Sequence, residues 1–265
     1  MQNLIHRKLP AFSGVVAGGK ATLKLPVGDT YEQIILKTNL SNTDIKRVEI
    51  TLNDDKIYNV TAEHLAALRE YHEKSLPEGV IIIPFSDFSM KARQSTVSTA
   101  LVTELSDYIT LDVTLSSDIP ATKAIQIDTH VVVSPPQAMR RLLPRLYTVT
   151  MTATANGDND YNGVISSPTR FIRRMHFNTD FMDKLEIHRD NIIEGEYHKD
   201  IVNMIAVDND KKPLANVFTY DPLVYGYMLD SLLPTYHQSQ FFFRCHTTQV
   251  VQSIEILMEV IEQVA

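Results

Sequence analysis

The sequence predicts an all-β protein built from two similar domains in tandem, each a β-sandwich or barrel. A short stretch at residues 45–50 is echoed at residues 182–187, and the matching positions Arg47 and Lys184 lie 137 residues apart (184 − 47). Each copy is followed by an acidic turn, an amphipathic segment and a hydrophobic run. A unit of this length that occurs twice indicates two domains with similar folds.

Most of the strands are predicted by alternation of apolar and polar residues. In residues 107–115, every second residue from Ile109 to Leu115 is apolar, which is typical of a strand with one buried face. Residues 124–133 and 147–154 alternate in the same way. Shorter apolar or β-branched runs complete the predicted strands: 21–25, 33–37, 48–52, 80–85, 172–177 and 240–246.

Helical patterns are fewer, with one in each copy of the repeat. Residues 62–74 follow Thr61, a residue type that suits a helix N-cap. Residues 223–232 predict a third helix, and residues 250–261 fit a helix and a strand equally well. The helix predicted over residues 196–206 has an apolar stripe formed by Tyr197, Ile201, Met204 and Ile205.

The junction between the domains is predicted at residues 134–137, which contain two adjacent prolines. Paired prolines cannot continue a central strand, and they stiffen the chain into an extended connection. The basic residues Arg140, Arg141 and Arg145 follow the junction. Together with His6-Arg7-Lys8, they would either meet anionic lipid or acidic neighbours, or pair with local acidic residues.

Composition excludes several classes of protein. A chain of 265 residues with 44% hydrophobic and 22% charged residues is long enough for two ordinary globular domains. The net charge of −7 argues against extensive binding of nucleic-acid backbone, which needs a basic face. One cysteine allows neither an internal disulfide nor a Cys-His zinc cluster. Neither a secretory signal nor a membrane-spanning apolar segment is expected.

One loop resembles half of a calcium-binding motif. Asp158, Asp160 and Asn162 alternate, and Gly163 follows them, as in the first part of a calcium loop. The twelfth position, where a bidentate glutamate belongs, is Thr169. These three oxygen-bearing residues are the candidate metal site, and a plain hairpin turn is the alternative.

No catalytic residue is predicted. The stretch 188–191 imitates part of a kinase catalytic loop but aligns with residues 51–54 of the first repeat, so it is expected to be a turn. Glu49 and Glu186 occupy corresponding positions of the repeat, and outward-facing salt bridges are expected for both. Cys245 is expected to be a buried structural thiol.

The residues also resemble a known family. Residues 24–32, Lys-Leu-Pro-Val-Gly-Asp-Thr-Tyr-Glu, followed by residues 45–50, are similar to the opening of the corticovirus-type major capsid protein. The similarity extends to residues 139–141, to the strand at 170–175 and to the order of elements in each half. The resemblance implies two eight-stranded jelly rolls, each with a short helix, over residues 20–136 and 137–265. It also implies an extended arm over residues 1–19 and a strand over residues 253–261.

The function implied by the resemblance is that of a major capsid protein in the lineage of tectiviruses and adenoviruses. Such a chain self-assembles as pseudo-hexagonal homotrimers into an icosahedral shell over an internal lipid membrane. The expected partners are further copies, minor capsid and vertex proteins, and the viral membrane, which the N-terminal arm would contact. No enzyme activity and no direct nucleic-acid binding are expected, and calcium is the one candidate cofactor. The protein would be made in the host cytoplasm and located in the virion. The alternative is a soluble double jelly-roll enzyme or glycan-binding protein of the peptide-N-glycosidase type, although the chain lacks tryptophan, on which sugars commonly stack.

Overall fold

The computed structural model describes residues 4–74, 76–228 and 230–264, which fold as two compact units. The first unit comprises Met1–Glu70, Lys74–Leu146 and Val264–Ala265, and the second comprises Tyr71–Glu73 and Tyr147–Gln263. Strand β10, Leu142–Ala153, carries the chain from the first unit into the second.

The first unit has the strand order of a jelly roll. One sheet has the order β1-β9-β3-β6, with β7 beside β3, and the other has the order β2-β8-β4-β5. Apart from the hairpin pair of the second sheet, neighbouring strands are distant in sequence, which is typical of Greek-key connections. Its elements are β1 Ile5–Lys8, β2 Lys20–Lys24, β3 Thr30–Thr38, a 3-10 turn Asn42–Asp44, β4 Ile45–Leu52, β5 Asp55–Val60, α1 Ala62–Tyr71, β6 Val80–Pro84, α2 Arg93–Val97, β7 Leu101–Val102, β8 Ile109–Leu115 and β9 Ile127–Ser134.

The second unit repeats this order. One sheet runs β15-β12-β18-β10, with β16 beside β12, and the other runs β11-β17-β13-β14. The core between its strands includes Met175, Leu185, Phe243 and Ile256. Its elements are β11 Gly157–Tyr161, β12 Arg170–Asn178, β13 Met182–Arg189, β14 Ile192–His198, α3 Lys199–Asp208, β15 Phe218–Tyr220, β16 Leu233–Pro234, β17 Phe241–Thr247 and β18 Val251–Gln263.

The internal repeat is confirmed without a gap over one strand–hairpin–strand–helix block. Adding 137 to both bounds of β4 gives the bounds of β13, and adding 137 to those of α1 gives those of α3. The hairpin residues correspond as well: Asn53 and Asp54 have positive φ, and so do Asp190 and Asn191. Two residues with positive φ match the twist of a tight hairpin. The predicted turn in the kinase-like stretch is confirmed for Asp190 and Asn191, while His188 and Arg189 are the last residues of β13.

Most predicted strands are confirmed, and the ambiguous C-terminal segment is a strand. In β8, Ile109, Leu111, Val113 and Leu115 are all buried, as the alternation predicts. The third predicted helix, residues 223–232, is wrong over its described residues. Asp221 there accepts a hydrogen bond from the Leu223 N–H (2.8 Å), and the chain forms separate turns around Gly226, which has positive φ.

Three boundaries differ from those predicted. The predicted arm over residues 1–19 contains β1, which pairs with β9 through Ile5 and Val133, so this part is a sheet strand; residues 1–3 lie outside the described range. The compact units divide after Leu146, and the domain junction predicted after residue 136 stays a prediction. The second helix begins at Lys199, rather than at residue 196, because residues 196–198 complete β14. None of the helices in the described ranges is long and apolar enough to span a bilayer.

Candidate assembly surfaces

The edge strands β5 and β14 correspond in the repeat but differ in exposure. Each carries a bulge at the same position, where Ile57 and Glu194 are the extra residues of their strands. Ile57 is fully buried, whereas Glu194 is exposed and accepts a hydrogen bond from Arg189 (Nε–Oε1 2.6 Å). The second strand of the hairpin is therefore part of the core in one unit and mostly surface in the other.

The two edges also differ in their neighbours. In the first unit, β5 lies between β4 and β10, and Arg145 of β10 donates two hydrogen bonds to Asp55 (3.1 and 2.5 Å). In the second unit, β14 has β13 as its single strand neighbour among the described residues. The outer edge of β14 therefore leaves backbone N–H and C=O groups unpaired by a strand.

Helix α3 has an exposed apolar stripe. Ile201, Met204 and Val207 lie three residues apart, on one face of the helix, and their exposed fractions are 47, 62 and 63%. The sequence predicts Ile201 and Met204 as part of a packed stripe, but the side of α3 that packs is formed by Val202, Ile205 and Ala206. The corresponding exposed positions of α1 are His64, Ala67 and Glu70. Apolar residues on α3 thus occupy positions where α1 has small or polar ones.

The hairpin of the second unit shows the same substitution. Ile192 and Ile193 are 66 and 56% exposed, and they correspond to Asp55 and Lys56 of the first unit. Exposed apolar residues at positions that a related module fills with charges indicate a surface that another molecule covers.

A row of polar side chains crosses the outer face of the first unit's β2-β8-β4-β5 sheet. Glu49 of β4 lies opposite Asp112 of β8, and Lys20 bridges them with Nζ–O distances of 3.1 and 3.0 Å. Lys56 binds the other oxygen of Glu49. Burial opposes the charged form of Glu49, but the hydrogen bonds from Lys56 and Lys20 outweigh it and lower its pKa.

The corresponding row of the second unit has a different charge order. Arg244 of β17 lies opposite Glu186 of β13 and makes a two-bond contact with Asp160 of β11 (2.8 and 3.1 Å). Lys184 and His188 bind Glu186 at 2.7 and 2.8 Å. The hydrogen bond from Lys184, with that from His188, lowers the pKa of the Glu186 carboxyl. The salt bridges predicted for Glu49 and Glu186 are confirmed.

The predicted calcium residues lie on and beside a strand. Residues Gly157–Tyr161 are strand β11, with Asp158 and Asp160 on its exposed side and Asn162 directly after its end, and a metal role for these residues stays a prediction. Asp160 is bound to Arg244. Within the described ranges, no group of three or more histidine, cysteine or acidic side chains could hold a metal ion. Pairing with β17 wins over the loop because a strand satisfies the backbone of this segment.

Four residues of the predicted basic clusters, Arg7, Lys8, Arg140 and Arg145, pair with local acidic residues. Arg140 binds Asp107 and donates to the Val102 carbonyl (2.8 Å). In β1, Arg7 binds Asp29 and Lys8 binds Asp128 (2.7 Å), although all four residues of the strand are exposed. These pairs connect residues near the start and near the end of the first unit's sequence to the sheets of that same unit.

Cys245 is a structural thiol, as predicted. Its side chain is fully buried in the second core, and burial raises the pKa of the thiol to about 12. The neighbouring His246 belongs to the opposite face of β17 and binds Asp183 (Nδ1–Oδ1 2.7 Å). The pair therefore lacks the geometry of a nucleophile and its base.

A buried ionic cluster in the second unit was not predicted. Arg174 is fully buried, and it binds Asp221 (Nε–Oδ2 2.9 Å) and Glu259 (Nη1–Oε2 3.3 Å). His176 also lies 3.3 Å from Glu259. Burial opposes the charge on Glu259, but Arg174 and the hydrogen bond from His176 hold its pKa well below the ordinary range. The sequence gives no distinct signal for this cluster, because Arg174 is one of three arginines in β12 and Glu259 is one of three glutamates in β18.

Two family models match this arrangement of paired jelly rolls. The viral coat protein P2 N-terminal domain matches residues 6–132, and the viral coat protein P2 C-terminal domain matches residues 143–264. The chain belongs to the viral coat protein P2 family. It is a capsid protein of the virion, as the resemblance implies. Curated protein sequences give no match.

Solved structures show the same fold. The major capsid protein P2 from bacteriophage PM2 is 20% identical, with a TM-score of 0.89 over 99% of this chain and 98% of that one. The major capsid protein of STIV is 8% identical, with a TM-score of 0.69 over 98% and 97% of the two chains. A PBCV-1 virus capsid chain is also 8% identical, with a TM-score of 0.64 over 98% and 94%. These neighbours are capsid proteins, so the enzyme alternative has no support.

Proposed function

We propose that this coat protein forms homotrimers, and that the trimers are the pseudo-hexagonal building blocks of an icosahedral shell over an internal lipid membrane. The observation that carries the proposal is the gap-free correspondence of β4 to α1 with β13 to α3. A chain that contains one module twice supplies six similar modules when three copies meet around a threefold axis. Closed symmetric rings of this kind are the common form of homo-oligomers.

Size-exclusion chromatography with light scattering tests the trimer. The chain mass is 30.0 kDa, and the expected species has three times that mass over a wide concentration range. Negative-stain electron microscopy of the same fraction should give particles with six-lobed outlines. A stable monomer, or a twofold dimer, would contradict the trimer while leaving the family assignment intact.

The further partners in this proposal are minor capsid and vertex proteins and the viral membrane. For the membrane, the supporting feature is the set of exposed basic side chains His6, Arg7 and Lys8, which project from the faces of β1 rather than from its backbone edge. Each basic residue near an anionic surface contributes about 1 kcal/mol, which salt weakens. We expect the trimer to float with anionic vesicles in low salt, and we expect R7E/K8E to reduce this binding. Equal binding of the two proteins would remove the N-terminal segment from the membrane contact.

We also propose that the role is purely structural, without enzyme activity or direct nucleic-acid binding. Support comes from the buried, high-pKa thiol of Cys245 and from the net charge of −7. An electrophoretic shift assay with double-stranded DNA at physiological salt is expected to give no complex. A complex that forms there would overturn this part of the proposal.

A further inference from the structure

We propose that the open edge of β14 pairs with β1 of a second copy, so that the β11-β17-β13-β14 sheet continues across the boundary between copies. The inference rests on the proposed homo-oligomer and names the contact that builds it. Both strands are edges: β14 has β13 as its one strand neighbour in the described chain, and β1 has β9.

The first unit contains the template for this contact. Its edge strand β5 is covered by β10, the strand with which the second repeat begins. β10 lies beside β18 just as β1 lies beside β9, so β1 is the strand with which the first repeat begins. Because β14 corresponds to β5, the matching partner of β14 is β1. We infer that a second copy provides this β1.

The side chains at the two junctions are matched differently. Asp55 of β5 binds Arg145 of β10. At the corresponding position β14 has Ile192, followed by Ile193, and β1 begins at Ile5, which is also exposed. The charged Asp55 on the edge of β5 thus corresponds to exposed isoleucine on the edge of β14. Apolar contact suits a junction between separate molecules, because burial of such side chains drives association.

The two strands carry charges of opposite sign. β14 carries Glu194 and Glu196 on its exposed surface, and β1 carries His6, Arg7 and Lys8. Because Arg7, Lys8 and Glu194 already have partners in their own chain, these charges favour the encounter of β14 with β1 over β14–β14 or β1–β1 contacts rather than form new ion pairs. The contact joins two different surfaces, so it is head-to-tail, and it closes into a ring if three successive copies complete one rotation, as the proposed trimer requires.

Cysteine cross-linking tests the pairing directly. The single native thiol, Cys245, is fully buried, so introduced cysteines at exposed positions react selectively. Assembled I5C/I192C is treated with a short bis-maleimide and run on a denaturing gel. We expect linked species that end at the trimer, whereas I5C alone and I192C alone stay single chains. The matched control is I5C/D55C, in which the second cysteine lies on the edge that β10 already covers, and it should not link between chains.

A second variant measures the contact without cross-linking. I192D/I193K places the residues of the first unit at the corresponding positions of the second. Since both isoleucines are exposed in the single chain, the fold should be unchanged by circular dichroism. Loss of two apolar side chains from an interface should weaken association by at least about tenfold.

The outcomes separate the contact from the proposed function. Trimers by light scattering, without I5C/I192C links and with unchanged association of I192D/I193K, would overturn the β14–β1 pairing and leave the trimer standing. A ring that cross-links fully but closes at another number of copies would support the pairing and overturn the trimer. A chain that stays monomeric would overturn both.

Discussion

The two repeats have the same backbone fold but different surface residues. The difference is clearest when the block from β4 to α1 is compared with the block from β13 to α3. The strand, hairpin, bulge and helix begin at corresponding residues in both. Val48 and Leu185 are buried at one corresponding position, so the core pattern is kept. The exposed positions are not kept, since His64 of α1 corresponds to the apolar Ile201 of α3. Burial fixes the fold, while the surfaces diverge according to what each must contact.

The largest expected effect on stability is that of the buried Arg174, because the first unit has an uncharged residue at the corresponding position. Arg174 follows a bulge in β12, and Gln33 follows the corresponding bulge in β3. Replacing Arg174 with Met leaves Asp221 buried without its arginine, while Glu259 keeps Arg173 at 3.6 Å, so we expect the free energy of unfolding to fall by about 3 kcal/mol. Urea denaturation measures it, and Gln33→Met is the matched control, with a loss below about 1.5 kcal/mol. Equal losses at the two positions would show that the ion cluster does not set this difference.

The same buried cluster predicts that the second unit loses stability at low pH. The pKa of Glu259 is lower in the folded chain than in the unfolded chain, whose value is about 4.3. The stabilisation that ionised Glu259 contributes is therefore fully present when the pH is above the pKa of the unfolded chain. It is lost as the pH falls below that pKa. We expect wild type to lose stability between about pH 4 and pH 2, and we expect the Arg174→Met variant to lose less in this range. Parallel profiles of stability against pH for the two proteins would show that the pairing of Glu259 with Arg174 is not the cause of the loss.

The bulge residues give the next largest difference. Ile57 is fully buried, and Glu194 at the corresponding position is exposed. We expect Ile57→Ala to lower the free energy of unfolding by about 2–5 kcal/mol, because it leaves a cavity. The matched change Glu194→Ala removes a partly exposed ion pair with Arg189 and should cost less than about 1 kcal/mol. Similar costs in chemical denaturation would mean that β14 is as well packed as β5.

Much of this comparison could be predicted from the sequence. The alternation from Ile109 to Leu115 predicts a half-buried strand, because side chains on a strand point to opposite faces in turn. The offset from Arg47 to Lys184 predicts the correspondence of the hairpins, including the turn at Asp190. These signals are local. The sequence predicts them correctly because each depends on a few adjacent residues.

The rest depends on contacts between distant residues. Arg174 and Glu259 meet only through the register of β12 with β18, which sequence patterns do not give. The apolar stripe at Ile201 and Met204 predicts a covered face, but it looks the same whether the chain's own core or another molecule covers it. The alternation of Asp158 with Asp160 fits both a calcium loop and a strand, and pairing with β17 decides it.

The rows of polar side chains on the outer sheets of the two units predict a smaller effect on stability. This effect allows the outer faces of the two units to be compared. Arg244 separates Asp160 from Glu186, whereas its counterpart Asp112 lies beside Glu49 and needs Lys20 as a bridge. Because the Arg244 pair is partly exposed, Arg244→Met should cost only about 0.5–1 kcal/mol, with a larger loss at low salt. The control Asp112→Asn should cost less, since it also relieves repulsion from Glu49. A salt-independent loss at Arg244 would point to packing on Phe242, whose ring lies 5.5 Å from the guanidinium.

The smallest expected effect is that of calcium removal. Asp158 and Asp160 project along the exposed side of a strand, and Arg244 already holds the Asp160 carboxylate, so an ion would have to displace a formed pair. We expect the melting temperature to be unchanged by a chelator or by added calcium, and we expect D158A to respond no differently. A stabilisation by calcium that D158A abolishes would restore a metal role to this strand. Thr22, not a carboxylate, occupies the matching position of the first unit, so the effect would then belong to the second unit alone.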